Sequence, residues 1–448
     1  MSSIGRPSSP ETMKAGGFDA VIGNPPYVNA WELFANTPEV RDYLNTTPVY
    51  KTADRHWDLY VLFLERALQV AKPHALVSFI IPFSYAIQKY GMVSRQILLM
   101  NYTLESVVDL RTVRVFGQVP VITMIPVVEK TLPKPTHSVQ IFRPGPTATK
   151  YHPGQITLSH RTSQRTLRAQ HEYMLRLDLA DDAEEICRKV QTRSKSVGEF
   201  LWVNYGAQMS SRIKGKFGKE YVLRDRHESN SCRKTVSGRN LYRYSVRWDG
   251  KWVDWALAPE MYGSREREFF ETPKLMIRDI TGTHRLELTA DDSKLYCDHT
   301  ILCALRACDV TAWKQMPASA VAGSASYSFS LLLGLLASRV VSAFYYWKLT
   351  GEGVRTGGGF HTYPKTIREL PVFDIDQATA NEKNVLNAIE SQAMRMLQLH
   401  RQRATARTPQ GLTSLERQID ATDAQIDQLV YELYDLGADE IKIVEDAV

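Results

Sequence analysis

The chain has only five cysteines in 448 residues, and they form no paired framework. They are Cys187, Cys232, Cys297, Cys303 and Cys308, and the C-x5-C-x4-C run around His299 matches none of the usual zinc-ligand spacings. This argues against a disulfide-stapled secreted module. The cysteines read as reduced core residues of a cytoplasmic protein with no metal site. Long apolar runs are scarce. The longest, Ser328 to Leu349, contains Arg339 and several serines, so a buried helix is expected there rather than a membrane span. Met1 to Pro10 lacks an apolar core, which argues against a signal peptide. No internal repeat is visible, nor a nuclease-like set of acidic residues and lysine on paired strands. Strong net charge is missing too: +6, with a pI near 8.9, permits a polyanionic partner without requiring one. At 44% apolar and 10% aromatic residues the composition is globular, and the length allows two or three domains.

The most informative positions are Phe18 to Tyr27, FDAVIGNPPY. Phe18, Ala20, Val21 and Ile22 suggest a short buried strand that runs straight into Asn24-Pro25-Pro26-Tyr27. That turn suits methyl transfer to an exocyclic amino nitrogen, a poor nucleophile whose lone pair is delocalised into its ring. The Asn24 side-chain carbonyl and the Pro25 main-chain carbonyl can both accept its N–H groups, orienting it for attack. The prolines stiffen the turn, and Tyr27 offers a ring on which an extruded base can stack. The tetrapeptide also suits an ordinary strand-to-turn junction, since Asn-Pro is common punctuation.

Downstream, Asp58-Leu59-Tyr60 opens an apolar-periodic helix, and His74 to Pro82 reads as a buried parallel strand. Leu104 to Leu110 is another strand candidate, followed by VFGQVPVITMIPVVEK from Val115 to Lys130. With the NPPY turn, these segments resemble the N6-adenine DNA methyltransferases. The resemblance is closest to the large type II, type IIG-like restriction–modification enzymes with a TaqI-like C-terminal specificity domain. It implies that Phe116 forms the second wall of a flipped-base pocket opposite Tyr27; a loop aromatic packed under the sheet is the alternative. It also implies S-adenosyl-L-methionine (AdoMet) as methyl donor, held by a Gly-rich loop and an acidic residue that precede the NPPY strand in the family. Only seventeen residues precede Phe18 here, and Gly16-Gly17 stands on the wrong side of its strand for a cofactor turn. The binding loop is therefore expected to be absent from this chain; in a split enzyme a separate chain supplies it, and a fragment and a relic are the other readings.

Between Gly206 and Arg247 basic residues dominate, among them Arg212, Lys214, Lys216, Arg239 and Arg243, opposed only by Glu220, Asp225 and Glu228. Tyr205, Phe217, Tyr221, Tyr242 and Tyr244 are interleaved, as suits contact with double-stranded DNA. A solvated, loop-rich surface is the plainer reading. VSGRNLYRYSVRW, TPKLMIRDITG, SFSLLLGLLASRVVSAFYYW and Leu370-Pro371 resemble the family's specificity domain, and RTGGGFHTYPK (Arg355 to Lys365) is a glycine-flanked loop between them. Asn384 to Gln402 and Ser414 to Leu436 show helical periodicity and suggest a helical hairpin.

The expected fold is α/β: the C-terminal half of a Rossmann-like class I methyltransferase sheet, then an α+β target-recognition domain and a C-terminal helical hairpin. The expected divisions are a flexible tail over 1–17, the half catalytic domain over 18–130, and a linker leading into the recognition region over 131–194. The recognition domain follows over 195–375 and a helical segment over 376–448. Two functions stand at this point. One is an adenine-specific DNA methyltransferase of a restriction–modification or phage-defence system, acting in the cytoplasm. The other is a DNA-recognition subunit or incomplete fragment whose partner carries the AdoMet-binding half. Enzymes that use the same turn to methylate release-factor glutamine or ribosomal RNA do not generally carry so long a basic, aromatic C-terminal region.

Overall fold

The computed structural model describes residues 10–53, 57–117, 121–145, 148, 150–213, 216–349 and 361–448. The chain divides into two compact units, the first ending at Glu184 and the second running from Glu185 to Val448.

The first unit is built on a mixed sheet. Its strands are β1 (Phe18–Gly23), β2 (Ala71–Phe79), β3 (Ile81–Pro82), β4 (Thr103–Asp109), β5 (Thr123–Glu129), β6 (Ser138–Pro144) and β7 (Ile156–Ser163). They run in the order β1-β2-β5-β4-β6-β7, with β3 joined to β5. The β1–β2 and β4–β6 pairs are parallel, and the other pairs along the path are antiparallel. The helices are α1 (Pro10–Lys14), α2 (Ala30–Asn36), α3 (Pro38–Thr46), α4 (Leu59–Val70), α5 (Met92–Asn101) and α6 (Gln164–Arg168). A parallel pair needs a crossover, and α4 lies in the one between β1 and β2. Leu64, Ala67 and Leu68 of α4 share a core with Ala75, Val77 and Phe79 of β2, Val107 of β4 and Val128 of β5. Glu65, buried on α4, accepts from the Lys51 and Thr52 amides at 2.9 and 3.0 Å and from the Thr52 hydroxyl at 2.7 Å. The exposed neighbours of the core-facing β2 residues lie on the other face, and Leu76 is 45% exposed.

Three expectations change here. First, β1 is not buried. Among the described residues it is an edge strand, bonded to β2 alone, and Ile22 is 82% exposed. An apolar strand is covered only where a neighbour exists to cover it. Second, Thr131 to His160 is not a linker. It supplies β6 and part of β7, because Val139 and Ile141 alternate into the core beneath a Pro- and Thr-rich composition. Third, the tail over 1–17 is partly built: Pro10–Lys14 is helical, and Gly17 adopts φ +118° where a Cβ would meet the Val70 carbonyl oxygen at 2.2 Å. Its first nine residues lie outside the described ones.

The second unit combines a four-stranded antiparallel sheet with smaller sheets and helices. In that sheet Leu288–Asp291, Lys274–Arg278, Ile301–Arg306 and Leu201–Tyr205 pair in this order. A second group pairs Leu223–Arg224, Trp252–Asp254, Cys232–Val236 and Tyr296–Cys297. Between them lies a core of Trp255, Phe269, Phe270, Met276 and Tyr296. The apolar run from Ser328 is broken into Phe329–Leu336 and Arg339–Phe344, because the Ser338 hydroxyl caps the second helix by accepting from the Val341 amide at 3.3 Å. The last helices are Ala380–Thr405, Pro409–Leu433 and Ala438–Ala447. Pro409 opens its helix, a position that needs no N–H donor, and the Thr408 side chain caps it. Among the described residues no single helix is long and apolar enough to cross a membrane.

Candidate functional site

The NPPY turn begins where β1 ends. The Ile80 amide donates to the Gly23 carbonyl at 3.1 Å, fixing the end of β1 beside β2. Asn24 and Pro26 are exposed, Pro25 is buried and Tyr27 is half-buried. The chain leaving the turn is tied to the start of α4: the Leu59 amide donates to the Val28 carbonyl at 2.8 Å, and the Ala30 amide to the Trp57 carbonyl at 2.9 Å. This pairing brings Tyr60 beside Tyr27.

Tyr27 is held at its rim. Its hydroxyl donates to the Ile80 carbonyl at 2.9 Å, and its ring lies 6.0 Å from that of Tyr60 at 81°. Burial pushes its phenol up to about 12, so it stays a neutral donor at physiological pH. Phe116 also meets Tyr27, with ring centroids 6.2 Å apart at 71°. The two expected pocket aromatics are thus together, but edge to face. A base between them needs parallel faces roughly 7 Å apart, twice a van der Waals contact, so Phe116 must turn to admit one.

Beside them sits a polar cluster that the sequence reading missed. The Tyr60 and Tyr90 hydroxyls are 2.6 Å apart, and Tyr90 donates to the Ser84 hydroxyl at 2.9 Å. Burial holds the Asp58 carboxyl above its ordinary value, against the pull of a Tyr90 hydrogen bond and with the added charge of Glu32. Asp58 immediately precedes α4, so the helix start that the sequence revealed was the available signal.

The basic residues fare unequally. Arg212 and Lys216 are exposed, the latter 3.7 Å from Glu260. Lys214 lies outside the described residues. Arg239 is 72% exposed and pairs with Asp249 at 3.0 Å. Arg243 is only partly exposed. Its guanidinium donates to both Asp423 oxygens at 2.6 and 2.9 Å and to the Ala337 carbonyl at 3.0 Å, so its role as a DNA contact is withdrawn. The interleaved aromatics act partly as platforms: Lys234 lies over Trp248 at 4.7 Å and Arg247 over Tyr242 at 4.9 Å. Of the glycine-flanked loop, residues 355–360 lie outside the described ones; His361 faces Asp279 at 2.5 Å, and its ring lies 4.2 Å from that of Tyr363, tilted at 46°.

Two family profiles match this chain: the Eco57I restriction-modification methylase over residues 5–116 and the TaqI-like C-terminal specificity domain over residues 233–372. The type II restriction enzyme and methyltransferase RM.Eco57I of Escherichia coli is 30% identical over 99 residues, 22% of this chain and 10% of its own length. The type II methyltransferase M.XhoI of Xanthomonas vasicola is 33% identical over 139 residues, 28% of this chain and 24% of its own. The solved structure of the type IIL restriction-modification enzyme MmeI in complex with DNA shares the fold. It has a TM-score of 0.52 at 11% identity and covers 96% of this chain and 56% of its own. The matched segments thus span a tenth to a quarter of the curated relatives' lengths. The first unit, a mixed α/β fold, is thus similar over residues 5–116 to restriction–modification methylases. Residues 233–372 are likewise similar to the TaqI-like C-terminal specificity domain, so the two matched segments lie one in each unit.

Proposed function

We propose that this chain positions a flipped adenine for AdoMet-dependent methylation at N6, at a DNA site chosen by its second unit. The observation that carries the reading is the exposed Asn24 at the end of β1, next to a Tyr27 ring fixed by the Ile80 carbonyl and accompanied by Phe116. The Asn24 side-chain oxygen and the Pro25 carbonyl accept the two amino hydrogens, which aims the nitrogen lone pair at the incoming methyl. Tyr27 and the turned Phe116 stack the base. AdoMet, when bound, supplies an electrophilic methyl group. As the nitrogen gains that carbon it loses one proton to water, so the site needs no activated nucleophile, only placement and charge.

A second reading has its own support. Among the described residues of the first unit no Gly-x-Gly turn follows a strand into a helix, which supports a reading in which that turn lies outside them. Among the described residues β1 pairs with β2 alone, so its other edge is open to a further strand, from this protein or a partner, that carries that turn. On either reading the protein works in the cytoplasm.

The test is transfer of labelled methyl from AdoMet to unmodified DNA, with Asn24→Ala alongside. Transfer should fall by about 10²-fold or more in the variant, the scale for losing one positioned group, while duplex affinity stays nearly unchanged. Equal transfer would remove Asn24 from its role. Salt-sensitive duplex binding without transfer would favour the second reading.

A further inference from the structure

The strands Gln208–Ser211 and Met261–Gly263 form a two-stranded antiparallel ribbon that belongs to neither larger sheet. Its inner face is anchored: Met209 is 3% and Met261 1% exposed, both in the core of the second unit. Its outer face carries Gln208, Ser210, Arg212 and Tyr262, the last 69% exposed. Gln208 and Ser210 share that face, since the Gln208 amide nitrogen donates to the Ser210 hydroxyl at 3.1 Å. Gly263 stands opposite Gln208 in the register, and a Cβ there would come within 3.3 Å of the Gln208 Cβ. The glycine leaves Gln208 room to stand out from the ribbon. Pairing continues past the strand, where the Arg212 amide donates to the Glu260 carbonyl at 3.1 Å. Exposed Lys216 and Lys219 follow on the same loop.

We infer that this ribbon enters the major groove and that Gln208, Ser210 and Arg212 read base edges there. The inference rests on the reading of the second unit as the DNA-recognition part. The dimensions agree: four residues at about 3.4 Å each span roughly 14 Å, close to the ~12 Å width of a groove that admits a two-stranded ribbon. The chemistry agrees as well. A glutamine amide matches the donor and acceptor of adenine, an arginine fork matches the two acceptors of guanine, and a serine hydroxyl serves either. Lys216 and Lys219 neutralise the flanking phosphates, fixing register without reading sequence.

The experiment is selection of bound duplexes from a randomised pool by the purified full chain, comparing wild type with Gln208→Ala, Ser210→Ala and Arg212→Ala. Each variant should lose preference at one or two adjacent base pairs. Affinity for the wild-type site should fall about 5- to 150-fold, the range for losing a bidentate base contact, and least for Ser210→Ala. Affinity of Gln208→Ala for a shuffled duplex should stay within about twofold, because phosphate contacts carry that binding and the variant keeps them. Variants that select the wild-type sequences with wild-type affinity would overturn the inference and leave the recognition reading standing. A wild-type chain that selects no sequence would overturn both.

Discussion

Arg243→Ala should weaken the second unit rather than its grip on DNA. The Arg243 guanidinium is 22% exposed, and its partner carboxylate, Asp423, is 19% exposed. Removing one member of a buried pair costs about 3–5 kcal/mol when the other charge is left alone. Asp423 is not left alone, because Arg285 stays 3.3 Å from its second oxygen. The expected loss is therefore about 2–3 kcal/mol, below that range. For a unit of this size it corresponds to roughly 5–10 °C in melting temperature. Arg239→Ala is the comparison: its exposed pair with Asp249 is worth at most about 1 kcal/mol, so melting barely moves while duplex binding weakens and its salt dependence flattens. Thermal and urea melts of the full chain, with duplex titrations at two salt concentrations, measure both. The acid limb adds a check. Burial pushes the Asp423 carboxyl up, but the Arg243 hydrogen bonds and the Arg243 and Arg285 charges outweigh it, leaving it below its ordinary 3.8. Stability from this pair is complete above that value and is lost as pH falls through the lower folded value, and Arg243→Ala should shrink that loss. A variant that melts with wild type, or that loses more DNA affinity than Arg239→Ala, refutes the reasoning.

Two further outcomes follow from packing and burial in the same unit. Burial, reinforced by Arg403, Arg243 and Arg247, lowers His400 from 6.5 to about 4. The unfolded chain takes up that proton first, so the contribution of His400 is full above pH 6.5 and disappears as pH falls to about 4; urea melts across this window should show a slope that His400→Gln reduces. Gly334→Ala would place a Cβ 2.6 Å from Ile389 Cγ2, so the helices Phe329–Leu336 and Ala380–Thr405 must separate. Thermal melting should show a destabilisation of about 1–3 kcal/mol, as for other overpacked cores.

The parts of the site that were legible in sequence are contiguous. Asn24 to Tyr27 announce themselves because strand, turn and aromatic follow one another directly. The Asp58, Tyr60, Tyr90 and Ser84 cluster is gathered from a helix start and two later turns, so no window of sequence contains it. Charge counting grouped Arg239 with Arg243, four residues apart, yet their surroundings differ because Asp423, the partner of Arg243, lies 180 residues further on. β6 and the start of β7, within Thr131 to His160, were hidden for another reason. Composition there is dominated by turn formers, while burial is decided by a few alternating positions such as Val139 and Ile141. The Ser338 break was missed because an apolar run reveals length, whereas a cap depends on one hydroxyl finding one amide.

The open edge of β1 also bears on how the protein behaves in the tube. Among the described residues β1 pairs on one side only, and with Ile22 82% exposed such an edge is a template for another extended chain. When the protein is concentrated by itself, other copies are the nearest extended chains. Self-association of the described residues is therefore expected along the few residues around Ala20 and Ile22, and whatever pairs with that edge shields it.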